Sequence, residues 1–247
     1  MKLPRLLLPL TLGFGVLISG CDRERHMPSY LIVMLDMSAS IEPTARKELF
    51  TALEEVPLHL KRGDTLVIIP ITGDAQNQAQ GRILRFKLSE IRAAYDQDIR
   101  EVGNRVRKAL EEMQSASLAE PGDHTDLLGT FQLASEEIRL NSRDKNPVVI
   151  VFSDFLQDDS QFNFTKSPSL KNEVAAQHFA IKLARESRLT LPVQVYLGSL
   201  RSKELSSLSH ERRVGIKVFW EQYLSAAGAR TQIATDGPGL LATITHE

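Results

Sequence analysis

Cysteine is nearly missing: the 247 residues contain one, Cys21. A lone thiol excludes an internal disulfide framework and any cysteine-cluster zinc or iron–sulfur centre within one chain. Glycine (14) and proline (11) are too sparse for a low-complexity or fibrous chain, and 42% hydrophobic with 25% charged residues is globular composition. Neither charge sign dominates, with 30 Lys+Arg against 31 Asp+Glu, so composition gives no general pull toward nucleic acid. Arg212-Arg213 beside His210 reads as a short charged turn without interleaved aromatics, a poor nucleic-acid footprint. Enzyme signatures are absent as well: the chain beyond residue 20 has no G-x-S-x-G elbow, Walker loop, G-x-G-x-x-G or H-E-x-x-H. Gly13-Phe-Gly15 falls in the N-terminal segment and carries no chemistry.

That segment has its own logic. Lys2 and Arg5 precede an apolar run of 13 residues, Leu6 to Ile18. A membrane-spanning helix needs about 20 residues, so the run suits a signal-peptide core instead. It closes on Ile18-Ser19-Gly20-Cys21, which resembles a bacterial lipobox. The resemblance implies that residues 1–20 are a signal peptide and that Cys21 is the lipidated first residue of the mature chain. Residues 21–28 then form a polar tether and 29–247 the folded domain. Several acyl chains give stable anchoring where one does not. Asp22 resembles the inner-membrane retention signal of enteric bacteria, which favours the periplasmic face of the inner membrane. Cleavage before Cys21 removes Lys2 and Arg5 and no acid, taking the net charge from −1 to −3.

From residue 29 the pattern alternates. Tyr30–Leu35 (YLIVML), Leu66–Ile71 (LVIIPI) and Pro147–Phe152 (PVVIVF) are unbroken apolar runs, as expected of parallel strands buried on both faces. Arg82–Leu88 reads as an edge strand, and 191–197 and 230–235 as further strands. Helical periodicity marks 43–60, 99–113, 126–140, 172–188 and 216–226. Phe219, Trp220, Tyr223 and Leu224 fall on one face of the last of these, expected to pack on the sheet. Strands separated by helices predict an α/β fold, a doubly wound, mostly parallel central sheet with helices on both faces. Sites in such sheets lie beyond the carboxyl ends of the strands.

Those positions hold a distinctive set. Asp36-Met-Ser38-Ala-Ser40 follows the first strand, Thr125-Asp126 opens a helix, and Ser153-Asp154 follows the third apolar run. Each piece taken alone reads equally as helix capping or a turn. Together they bring two carboxylates and three hydroxyls to one edge of the sheet if their strands are neighbours. Hard oxygen donors of low total charge suit magnesium or manganese rather than zinc or copper.

The set resembles the metal-ion-dependent adhesion site of von Willebrand factor A-type domains, over most of residues 29–240. The resemblance implies that Ser38, Ser40 and Thr125 supply direct hydroxyl ligands to Mg (or Mn), with Asp36 and Asp154 as the carboxylates, at least one acting through coordinated water. It further implies a protein partner supplying a Glu or Asp to complete the coordination, in a binding module rather than an enzyme. Phe155 departs from the family, which often has glycine there, and is expected to alter how open the site is. The long loop from Phe155 to Ser169 is expected beside the metal edge. Asp158-Asp159 lacks EF-hand spacing and reads as a solvated acidic loop. His124 and Asp158 are the available bases should the site instead be a metal-assisted hydrolase. A structural domain with a rarely filled site is the other alternative.

Overall fold

The structure is a computed structural model that describes residues 27–75, 82–119, 124–234 and 240–241. Leu6–Ile18, Cys21 and Asp22 lie outside the described residues. Thirteen elements follow one another: β1 (Ser29–Asp36), α1 (Pro43–His59), β2 (Thr65–Ile71), β3 (Leu84–Lys87), α2 (Arg92–Ala119), α3 (Leu127–Asn141), β4 (Asn146–Ser153), a 3-10 turn (Pro168–Leu170), α4 (Glu173–Ser187), β5 (Gln194–Ser199), α5 (Lys203–Ser207), α6 (His210–Ala226) and β6 (Arg230–Ala234). They form a six-stranded sheet in the order β3-β2-β1-β4-β5-β6. Every pairing is parallel except the edge strand β3, antiparallel to β2. This is a doubly wound α/β fold, and its strand order reverses between β1 and β4.

The uninterrupted apolar strands are explained by cover on both faces. Alternate residues divide cleanly. Tyr30, Ile32 and Met34 of β1 join Val149 and Val151 of β4 in a core with α3, α4 and α6. Leu31, Val33 and Leu35 join Ile150 and Phe152 in a second core with α1 and α2. The first core is aromatic. Trp220 is 1% exposed and stacks edge-on to Phe219 at 5.1 Å, within reach of Phe131 and Phe164.

Three elements start three or more residues away from where the sequence pattern puts them. The strand expected from residue 191 begins at Gln194, because Pro192 has no N–H for the ladder and Leu191 instead donates to the Ala227 carbonyl. Helix α2 starts at Arg92 rather than 99, its first turns too polar to show a stripe. Helix α6 starts at His210 rather than 216, capped by the Ser209 side chain on the Arg212 N–H. The supposed charged turn is therefore the first turn of a helix. Arg212 works there as a clamp, donating to the carbonyls of Phe164 and Ser167 at 3.1 and 2.7 Å.

The same helix meets the loop after β4 closely. A Cβ added at Gly215 would stand 2.4 Å from the Leu170 carbonyl oxygen. Gly215→Ala raises helix propensity by about 1 kcal/mol, yet the contact forces backbone apart at a cost of about 1–3 kcal/mol. Urea unfolding is expected to show a net loss of stability; a gain would contradict this packing.

Candidate metal site

Leu35 pairs with Phe152, so β1 and β4 end side by side and release Asp36 and Ser153-Asp154 at the same point of the sheet edge. Both carboxylates are buried, 2% and 1% exposed. Asp36 Oδ1 accepts the Ser38 N–H at 2.9 Å, and its Oδ2 accepts the Ser153 hydroxyl at 2.5 Å. The Ser38 and Ser40 hydroxyls lie 3.0 Å apart, and Ser40 donates to Asp154 Oδ2 at 2.9 Å. Asp154 Oδ1 accepts the Leu156 N–H at 3.1 Å. Four of the five residues picked out by spacing thus form one hydrogen-bonded chain.

Thr125 takes a different position. It is buried, and its backbone forms a two-way bridge with Asp158, 2.8 and 2.9 Å. That bridge fastens the loop before α3 to the loop after β4, along the same edge. Among the described residues no hydrogen bond joins the Thr125 hydroxyl to the other four. Asp126 is the cap of α3, accepting the Gly129 N–H at 2.8 Å.

Several participants were not visible in the sequence. Ser202 caps α5 and its buried side chain bonds Asp154. Arg46 lies on α1 among apolar neighbours, 8% exposed, with Nη2 donating to the Ser38 carbonyl at 2.6 Å and Nη1 to the Ser117 hydroxyl at 2.5 Å. Ser117 in turn donates to the Met37 carbonyl at 3.2 Å. The Asp36–Ser40 loop is thereby fixed to α1 and α2, and a buried guanidinium stands near Asp36. An arginine at a helix position normally reads as solvated, which is why spacing does not reveal it.

The electrostatics follow from burial. Desolvation, then the neighbouring Asp36 charge, pushes the Asp154 carboxyl up to about 7, against hydrogen bonds from Ser202, Leu156 and Ser40. Asp36 is raised as well, by desolvation above all, with the Ser153 and Ser38 bonds and the Arg46 charge opposing. Arg46 offsets part of the Asp36 charge, and a divalent cation between the two carboxylates is a species that would offset both. The donor types agree. Among the described residues no cluster of three or more His, Cys, Asp and Glu could hold a metal. Any cation here would draw on hydroxyls as well as carboxylates, a set suited to magnesium or manganese.

Phe155 corrects an expectation. Its φ is +62°, the left-handed region that favours glycine, so the backbone keeps a glycine-like turn while carrying a ring. The ring does not cover the site: it is buried 6.4 Å from the Trp220 ring, and the Phe155 carbonyl accepts the indole N–H at 3.0 Å. The Phe155–Ser169 loop begins at the sheet edge where Asp36 and Asp154 meet, held by Thr125 and Arg212. Its acids are engaged: Asp158 accepts from Asn163 and faces His124 at 3.5 Å, and Asp159 accepts from Gln157 and the Gln161 and Phe162 N–H groups.

No family model and no curated protein matches the sequence. Solved structures do share the fold. The SpaC pilus adhesin of Lactobacillus rhamnosus GG superposes with a TM-score of 0.51 at 10% identity, over 90% of this chain and 30% of its own. The manganese-loaded TRAP protein of Plasmodium vivax gives 0.46 at 14% identity, over 88% of this chain and 72% of its own. A von Willebrand factor type A protein of Catenulispora acidiphila gives 0.45 at 13% identity, over 88% and 41%. The chain spans less than half the length of the SpaC and Catenulispora chains, and at these identities the likeness is one of fold.

Two outcomes follow from the geometry. Asp154 holds its proton up to about 7 in the folded protein, against roughly 4 for a solvated aspartate. As pH rises through that window the unfolded chain releases the proton first, so metal-free protein loses stability from about pH 4 to 7. Thermal melts should show that decline reduced in Asp154→Asn; equal slopes would contradict the buried-carboxyl assignment. Phe155→Ala keeps the left-handed strain and leaves a void against Trp220, costing about 3–5 kcal/mol in chemical unfolding.

Proposed function

We propose that the chain is a von Willebrand factor A-type binding module that recognises a protein partner through a divalent cation. The observation that carries this reading is the buried Asp36–Asp154 pair, laced together by Ser38 and Ser40 where the strand order reverses. Mg or Mn would be held by Ser38, Ser40 and Thr125 with Asp36 and Asp154 as the carboxylates, and Thr125 would turn its hydroxyl inward. With so few direct carboxylates the cation would keep residual positive charge and an exchangeable water. A Glu or Asp of the partner would replace that water, so acidity and reach decide what binds. SpaC, whose fold it shares, is a pilus adhesin.

The same reading places the module in a bacterial envelope. Cys21 would carry the acyl chains after removal of residues 1–20, and Asp22 favours the periplasmic face of the inner membrane. No described helix is long and apolar enough to cross a membrane. In this reading the site would act by recognition rather than turnover, with the Ser40 and Ser153 hydroxyls bonded to Asp154 and Asp36 as parts of the cation cradle, and His124, 63% exposed, facing Asp158 at 3.5 Å.

Magnesium titration followed by thermal melting tests the site. Linkage predicts a gain of about 2.7 kcal/mol at a hundredfold excess over Kd, lost in Asp36→Ala. A partner captured from envelope extract should release with EDTA and fail to bind Ser38→Ala. Binding that survives both EDTA and Ser38→Ala would overturn the cation bridge. Phosphoester turnover requiring both magnesium and His124 would replace the module with a hydrolase.

A further inference from the structure

The end of the sheet opposite the site has a contrasting chemistry. Among the described residues five large apolar side chains are strongly exposed, and four of them gather at the amino ends of the strands. Met27 precedes β1, Leu58 sits in the last turn of α1, Ile91 joins β3 to α2, and Leu140 closes α3. Only Val174, at the start of α4, lies toward the site edge. Single exposed apolar residues mean little; their concentration at one end is what calls for a cause.

These connections form one continuous rim. The Asn146 N–H donates to the Pro28 carbonyl at 2.8 Å, and the Gly63 N–H to the Ser89 carbonyl at 3.3 Å. Lys145 Nζ donates to the Gly63 carbonyl at 2.9 Å, and the Tyr95 hydroxyl to the Leu60 carbonyl at 2.7 Å. The rim is also basic. Lys61, Arg62, Lys87, Arg92, Arg143 and Arg188 are exposed there, outnumbering Glu90, Asp96, Asp144 and Glu186. Asp64 offsets none of this at the surface, being buried with its carboxylate on the Ser29 and Lys61 N–H groups.

Where the chain leaves this rim decides what covers it. Six residue steps lead from Met27 back to Cys21, a reach of at most about 22 Å even fully extended. If Cys21 is acylated, as proposed above, this end of the sheet and not the site edge stands at the bilayer. Apolar side chains enter the headgroup boundary while neighbouring Lys and Arg meet anionic headgroups. We propose that this basic, apolar-studded rim lies against an anionic lipid surface and points the Asp36–Asp154 edge away from the membrane.

Trp220 is the only tryptophan and is buried, which leaves the surface free for tryptophan reporters. Leu58→Trp, Ile91→Trp and, as control, Val174→Trp are placed in the mature chain on vesicles of brominated phosphatidylcholine containing phosphatidylglycerol. The first two are expected to lose most of their added fluorescence and the third to keep it. Omitting phosphatidylglycerol, or adding Lys61→Glu with Arg62→Glu, should restore much of the lost signal. Equal quenching at all three positions, or none at Leu58 and Ile91, would overturn the proposal. Mass spectrometry of the N-terminal peptide reports acylation separately. If Cys21 is bare the anchoring reading fails, and the same reporters on chain coupled through Cys21 to a maleimide lipid still decide whether the rim meets the bilayer.

Discussion

Two aspartates leave neighbouring parallel strands at the one place where the sheet changes direction, and most of the surrounding structure is arranged to hold them there. Parallel neighbours make this unavoidable: with Leu35 opposite Phe152, the residues that follow must emerge together. Burial of both carboxylates raises the free energy of their charged forms, opposed by hydrogen bonds from Ser153 and Ser38 at Asp36 and from Ser40, Ser202 and the Leu156 N–H at Asp154. Those donors come from three separate loops. Fixing the pair therefore fixes the loops after β1, β4 and β5 to one another, with Arg46 and Ser117 adding the ties to α1 and α2.

The fold was legible because burial on both faces leaves a plain mark: β1, β2 and β4 are unbroken apolar runs, with amphipathic helices between them. The Asp36, Ser38, Ser40 and Asp154 cluster was legible because each stands directly after a strand whose neighbour could be guessed. What spacing cannot show is tertiary placement of polar side chains on helices. Arg46 looks like any surface arginine in sequence, and only the approach of α2 makes it a buried clamp. Ser202 looks like an ordinary cap until β5 brings it to Asp154. The first turn of α6 hides its helicity behind His210-Glu211-Arg212-Arg213, since its contacts are to a loop rather than to the sheet.

Phe155 shows how a departure from a pattern can preserve the geometry behind it. The turn after Asp154 needs a left-handed residue so that the chain can swing away from the sheet edge while leaving the carboxylate in place. Glycine meets that need without steric cost. Here the strain is offset by ring burial against Trp220 and by the indole hydrogen bond, and the side chain is drawn into the core instead of over the site. The loop that follows is then braced from both sides, by the Thr125–Asp158 bridge and by Arg212, so the wall beside the site is a fixed surface.

We propose that the hydroxyls and buried carboxylates at the β1–β4 edge together bind a divalent cation. Diffraction from crystals soaked in manganese, recorded for anomalous scattering, tests it directly. A single strong peak is expected in contact with Ser38 and Ser40 and next to Asp36 and Asp154, with Thr125 turned toward it, and lost in Asp36→Ala crystals. A peak elsewhere, or none there at saturating manganese, would contradict it.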